Sequence, residues 1–175
     1  MTVAFRIPEI ETERLRLRLP KASDLDAHIA FRASERSKGV GGPYDAPSSF
    51  HHLEGIIGQW QLRGYGRWMV ADKDTDAPLG VVGIYHPMDW PEAEIGWSLY
   101  EAGEGRGIAA EAARATRDYA YRTLGWDRIV SLIMPDNDRS IRLAERLGCT
   151  NEKPFVHPVF GTLDIWVHPA PEALQ

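Results

Sequence analysis

Glu94-Ile-Gly-Trp-Ser-Leu-Tyr-Glu-Ala-Gly-Glu-Gly-Arg-Gly-Ile-Ala-Ala-Glu-Ala112 is the stretch that decides the fold. Glu94, Gly96 and Ser98 alternate with Ile95, Trp97 and Leu99, which is the period of a β-strand. Residues 107–123 place Ile108, Ala112, Ala115, Tyr119 and Ala120 on one stripe, which is the period of a helix. Between them lie Gly103, Gly105 and Gly107, which lack a β-carbon and let the chain turn tightly with successive N–H groups exposed. A helix leaves its first four N–H groups unpaired and carries a partial positive charge at that end. A strand, a glycine loop and a helix start together form a cradle for a phosphate or pyrophosphate.

The remaining elements follow from the same rules. Upstream, Arg14-Leu-Arg-Leu-Arg-Leu19 alternates as a strand with its leucines inward. Ser23 is the expected cap of a helix with Leu25, Ile29 and Phe31 inward and with Asp24 and Asp26 at its positive end. Residues 37–47 are rich in Gly and Pro and read as a loop. Ser48 or Ser49 opens a second helix carrying Phe50, Leu53, Ile56, Ile57 and Trp60, which ends near Gly64. Residues 68–71 and 79–85 form a hairpin, and residues 93–100 form the next strand. After the long helix come a strand at 128–134, a helix at 137–147, and strands at 149–156 and 161–167. The order β-α-α-β-β-β-α-β-α-β-β predicts an α/β sheet with helices packed on both faces.

Bulk properties narrow the function. The 175 residues suit one domain, expected over residues 8–168, with 169–175 as a flexible proline-bearing tail. A net charge of -5 argues against nucleic acid or an anionic membrane as partner. One cysteine fits a reducing compartment, and neither a signal peptide nor a membrane-length apolar run is visible, so the expectation is cytoplasmic. Six histidines and one cysteine show no ligand spacing, so no metal is expected. Two nucleotide signatures fail. Gly107 is followed by Ile108-Ala109 rather than the Lys-Ser or Lys-Thr of a Walker loop, and the loop lies too late in the chain for a dinucleotide fingerprint.

Glu104-Gly-Arg-Gly-Ile-Ala109 resembles the cofactor loop of the Gcn5-related N-acetyltransferase (GNAT) superfamily, Gln/Arg-x-x-Gly-x-Gly/Ala, from Gly107 on. Ala110-Glu-Ala112 is similar to the Thr-Glu-Ala that opens that helix in the branch containing ribosomal-protein N-terminal acetyltransferases. The start Glu11-Thr-Glu-Arg-Leu-Arg-Leu-Arg18 resembles that branch's first strand. Asn137-Asp-Arg-Ser-Ile-Arg-Leu-Ala-Glu-Arg-Leu-Gly-Cys149 resembles its Asn-x-x-Ser segment, with Cys149 in place of an aromatic. The matches come in order over about residues 10–167.

The resemblance implies a mixed, mostly antiparallel twisted sheet with helices on both faces. It also implies transfer of the acetyl group of acetyl-CoA to a primary amine by direct attack in a ternary complex. The alternative is a non-catalytic or regulatory CoA-binding module of the same fold. Cofactor contacts are implied for Trp97, Ser98 and Leu99, chiefly through their backbone, for Gly105, Arg106, Gly107, Ile108 and Ala109, and for Asn137, which doubles as a helix cap. Glu104 has the wrong charge for its family position, so it is expected to point into solvent while Arg106 supplies positive charge. Glu94 is the first candidate for the base, with His86 and Tyr85 as the alternatives, and Ser140 is the candidate donor to the leaving thiolate, Ala144 standing where many members carry a tyrosine. The acceptor cleft is expected to use Tyr44, Phe50, His51, Tyr85 and His86, with Asp45, Trp90 and His157 near it. The acceptor partner is a small-molecule amine or a protein N-terminus. Dimers are usual in that branch, so a homodimer is among the oligomeric states that the sequence leaves open.

Overall fold

In the computed structural model, which describes residues 7–174, the alternating start pairs as a strand; Leu15 and Leu17 fill the core, while Leu19, past the strand's end, is exposed. Among the described residues nine strands follow the path β1-β2-β3-β4-β5-β6-β9-β7, with β8 paired to β9. They are β1 (Ile10–Glu11), β2 (Leu15–Arg18), β3 (Arg67–Asp72), β4 (Pro78–Tyr85), β5 (Glu94–Leu99), β6 (Val130–Ile133), β7 (Thr150–Asn151), β8 (Phe155–His157) and β9 (Gly161–Val167). The helices are α1 (Leu25–Ala33), α2 (Ala46–Arg63), α3 (Ile108–Arg122) and α4 (Asp138–Arg146). Every described pairing is antiparallel except β5 with β6.

Both faces of the sheet are covered, because successive residues of a strand point to opposite sides. Trp68, Val70, Val82 and Ile84 pack with Ile108, Ala112 and Ala113 of α3 and Leu143 of α4. Met69 and Val81 pack on the other side with Phe31 of α1 and Leu53 and Ile56 of α2. Trp60 at the end of α2 reaches the first cluster, its ring 4.7 Å from that of Trp68.

Two-sided cover corrects the reading of the first strand. Leu15 and Leu17 are fully buried as expected, but Arg18 on the opposite face is also buried. Its guanidinium forms ion pairs with Asp24 at 2.8 Å and Asp76 at 2.7 Å. Asp24 therefore does not serve the end of a helix that starts at Ser23. Residues 22–24 form a 3-10 turn, Asp24 folds inward, and α1 begins at Leu25. The second helix begins earlier than its serines indicated. Asp45 caps it by accepting from the Ser48 amide at 2.8 Å, and Pro47 sits in the first turn, where its missing N–H costs nothing.

Two further boundaries move. Residues 149–156 do not form one strand: β7 and β8 are separate, with Pro154, which cannot donate to a ladder, between them. Within the region expected to be a flexible tail, residues 171–174 form a 3-10 turn and Tyr121 donates to the Pro169 carbonyl at 2.9 Å. Gln175 lies outside the described residues. Glu111 joins the chain start to α3, accepting from Thr12 Oγ1 at 2.5 Å and from the Arg14 amide at 3.0 Å.

Candidate active site

The site forms where β5 and β6 part. These two parallel strands pair at a single position, Glu94 with Val130, and Ser131 Oγ donates to the Ile95 carbonyl at 2.7 Å. Beyond that point β5 stays paired with β4 through Leu99, but its edge toward β6 is free along Trp97, Ser98 and Leu99. Two cavities open there, of about 270 Å³ and about 260 Å³. Phe31, Gly39, Val40, Trp97 and Ser98 line both, so the cavities meet across the end of β5.

The second cavity lies over the glycine loop. Leu99, Gly105, Gly107, Ile108, Ala109 and Asn137 line it. Gly105 and Gly107 have φ of 69° and 76°, in the left-handed region that favours glycine, and no atom lies within 4 Å of where a Cβ on Gly105 would stand. The amide of Glu111 bonds the Gly107 carbonyl at 3.2 Å, leaving the amides of Ile108, Ala109 and Ala110 ahead of that bond free to face an anion. Arg36, Arg139 and Arg146 bring positive charge to the same wall. An open glycine cradle beside three arginines fits a pyrophosphate-bearing ligand such as acetyl-CoA.

Two charge expectations change here. Arg106 turns away from the cavity, donating to the Ala102 carbonyl at 3.0 Å and lying 3.7 Å from Asp72. Glu104 does not point into solvent: it lines the cavity, paired with Arg36 and with Arg139 at 2.7 Å. The cations are thus held ready by a carboxylate that a phosphate can replace. Asn137 accepts from the Ser140 amide at 3.2 Å as a cap, while its side chain lines the cavity.

Ser140 lines neither cavity. Its Oγ accepts from the Trp97 indole at 3.1 Å, which leaves the hydroxyl proton free to donate. The indole of Trp97 is therefore not simply core packing, since the residue lines both cavities and joins Ser140 to them.

The first cavity holds Glu94, which is buried. Its Oε1 accepts from Trp90 Nε1 at 2.9 Å and its Oε2 from the Leu132 amide at 2.9 Å. Burial pushes its carboxyl up to about 7, while those two hydrogen bonds and the field of Arg67 act in the opposite sense. Gly83 and Gly96 stand side by side in the neighbouring row of the sheet, and with no side chains there Gly96 leaves room at the cavity floor.

Tyr44, Tyr85 and Trp90 line this cavity. Phe50 and His51 do not: both are exposed on α2, where His51 meets Glu54 at 3.0 Å. His86 is also outside the lining and contacts Tyr65 Oη at 3.3 Å. Asp45 is occupied as the α2 cap, and His157 meets Asp89, a lining residue, at 2.9 Å. His52, next to His51, faces inward instead, and with His28, Arg32 and Arg67 it was not anticipated as a group. Their signal was positional: His28, Phe31 and Arg32 share the inner face of α1, and Arg67 shares the face of Met69. Among the described residues no group of three or more metal-ligating side chains is present, and no helix is long and apolar enough to cross a membrane.

A family model for the acetyltransferase (GNAT) domain matches residues 14–150. An uncharacterized N-acetyltransferase of Bacillus licheniformis, p20, is 30% identical over 81% of this chain and 82% of its own length. YkkB of Bacillus subtilis is 38% identical, the match spanning 49% of this chain and only about half, 52%, of that protein. The crystal structure of an acetyltransferase from Agrobacterium tumefaciens is 40% identical, covers 97% of this chain and 98% of its own, and superposes with a TM-score of 0.86. The chain belongs to the GNAT acetyltransferase family and is an acetyl-CoA-dependent acyltransferase.

Proposed function

We propose that the chain transfers the acetyl group of acetyl-CoA to a primary amine by direct attack, with both substrates bound at once. The observation that carries this reading is the junction of the two cavities at Trp97 and Ser98, with the buried carboxylate of Glu94 in the wall of the first. Acetyl-CoA supplies the activated acetyl thioester. Arg36, Arg139 and the amides at the start of α3 bind its phosphates, and the free backbone of β5 orients its arm.

Glu94 takes a proton from the entering ammonium, directly or through water. A pKa near working pH lets it hold that proton and give it back to solvent. The neutral nitrogen then forms a bond to the thioester carbonyl carbon as the carbon–sulfur bond breaks. Ser140, fixed by Trp97, donates a hydrogen bond toward the departing sulfur, which takes up the proton that the nitrogen sheds as the amide forms. Ala144 is fully buried and offers no alternative donor. A primary amine, either a small molecule or a protein N-terminus, is the acceptor class this chemistry admits. A ribosomal-protein L7/L12 acetyltransferase solved with coenzyme A shares the fold, with a TM-score of 0.75 at 20% identity, and supports the cofactor assignment.

Thiol release from acetyl-CoA, followed over a panel of amines, tests the reading. Release dependent on the amine is expected, and Ser140→Ala should lower kcat with little change in acetyl-CoA affinity. Tight CoA binding with no release for any amine would instead identify a CoA-binding regulatory module.

A further inference from the structure

The first cavity contains two cations that form no ion pair among the described residues, its carboxylates Glu94 and Asp89 being engaged by other groups. Arg32, on α1, is 7% exposed, and Arg67 opens β3; both line the cavity. The Nε of each is buried without a hydrogen-bond partner. Among the described residues neither forms an ion pair with a carboxylate: Glu94, whose field reaches Arg67, is engaged by Trp90 and Leu132 instead. Burying a guanidinium unpaired is costly, so two of them in one cavity wall call for an anion.

Their surroundings aim them, while burial acts against their charge. Arg32 lies over the ring of Tyr44 with 3.9 Å to its centroid, and Arg67 over that of Tyr85 with 4.2 Å. Such stacking fixes the plane of a guanidinium and leaves its N–H edge for a ligand. Arg67 Nη1 meets His52 Nε2 at 3.0 Å, His52 Nδ1 meets His28 Nε2 at 3.1 Å, and His28 Nδ1 meets Tyr100 Oη at 2.8 Å. Burial and the two arginines hold both imidazoles neutral, so the chain braces Arg67 without adding charge.

We propose that the acceptor is a small amine carrying a carboxylate, of the amino-acid class, with Arg32 and Arg67 binding the carboxylate while Glu94 receives the amine. This rests on the transferase reading above and narrows its acceptor. A guanidinium edge matches a carboxylate with two parallel hydrogen bonds. A cavity of about 270 Å³ suits a molecule of amino-acid size better than a folded protein end. Arg67 of β3 and Glu94 of β5 are brought to one site on either side of β4, which gives opposite charges for the two ends of a zwitterion.

Two readouts test it: tryptophan fluorescence titration of the CoA-bound protein, which needs no turnover, and thiol release from acetyl-CoA. The standard amino acids are compared with their carboxamides, with phosphoethanolamine and with short peptides. At least one amino acid should bind and react about tenfold or more better than its carboxamide. Arg32→Gln and Arg67→Gln should each bring acid and amide to within about threefold while acetyl-CoA still raises Tm. Should either fail to fold, Arg32→Lys or Arg67→Lys, which lack the planar fork, should shrink the preference. No binding by any acid, equal or better use of amides or peptides, a preference for phosphoethanolamine, or a preference intact in both Gln variants overturns the proposal. Acid-selective binding without thiol release leaves the carboxylate site standing and removes the transferase reading; release without acid preference does the reverse.

Discussion

Glu94 carries more of the proposed chemistry than any other single side chain. A carboxyl at its usual value would be ionised but too weak a base for an ammonium; burial brings this one to about 7, nearer that task. The active form is the ionised one, so kcat/KM should rise with pH through about 7 and then level. Glu94→Gln keeps the shape and the bond from the Leu132 amide but cannot take a proton. Its rate should fall by about a hundredfold or more, and the rise through pH 7 should disappear. A Gln variant with wild-type rate and pH profile would transfer the base role to another group. The strand period placed Glu94 and the resemblance gave it a role, but neither showed its basicity, which comes from burial and is only partly offset by Trp90, Leu132 and Arg67.

At the scale of elements, the strand–loop–helix unit was legible because each part obeys a local rule. Alternation gave β5, glycine gave the turn, and the apolar stripe gave α3. What local rules could not supply was the partner across space. Arg106 is adjacent in sequence to the cradle yet pairs toward Asp72, whereas Arg36 and Arg139 reach it from elsewhere in the chain. The lining of the first cavity departs from the expected residues for the same reason: a one-residue step along α2 separates exposed His51 from inward His52. The cradle itself can be tested by substitution. Gly107→Glu puts a side chain at φ 76° and a carboxylate beside the phosphate position, and acetyl-CoA affinity should fall roughly a hundredfold. Gly125→Glu, at φ 72° in open space and outside both cavity linings, imposes similar backbone strain. That variant should lose stability but bind acetyl-CoA as the wild type does; equal loss of binding in both would reduce the cradle to a turn.

Across the whole molecule, the buried titratable groups set opposing demands on pH. His28 and His168 are 2% and 3% exposed, and burial, then neighbouring arginines, push them down to about 4 and about 3. The unfolded chain binds those protons near pH 6.5, so their contribution to stability is intact above that value and declines as pH falls toward 4 and 3. At pH 5 each costs about 2 kcal/mol. Glu94 has the reverse sign. Its folded pKa of about 7 lies above its ordinary 4.5, so its penalty grows as pH rises from 4.5 to 7 and is relieved on acidification. The histidines outnumber it, and Tm should drop between pH 7 and pH 5. Glu94→Gln removes the opposing titration, so its Tm should drop more steeply than that of the wild type over the same interval. His168→Gln should flatten the drop, because one of the groups that must charge on unfolding is gone. Its ring meets Ser131 Oγ at 3.0 Å, so a lower Tm at every pH is expected of that variant, but it is the slope that reports the titration. Parallel slopes for wild type and both variants would mean that these groups titrate alike folded and unfolded, and that the closed environment assigned to the first cavity is wrong.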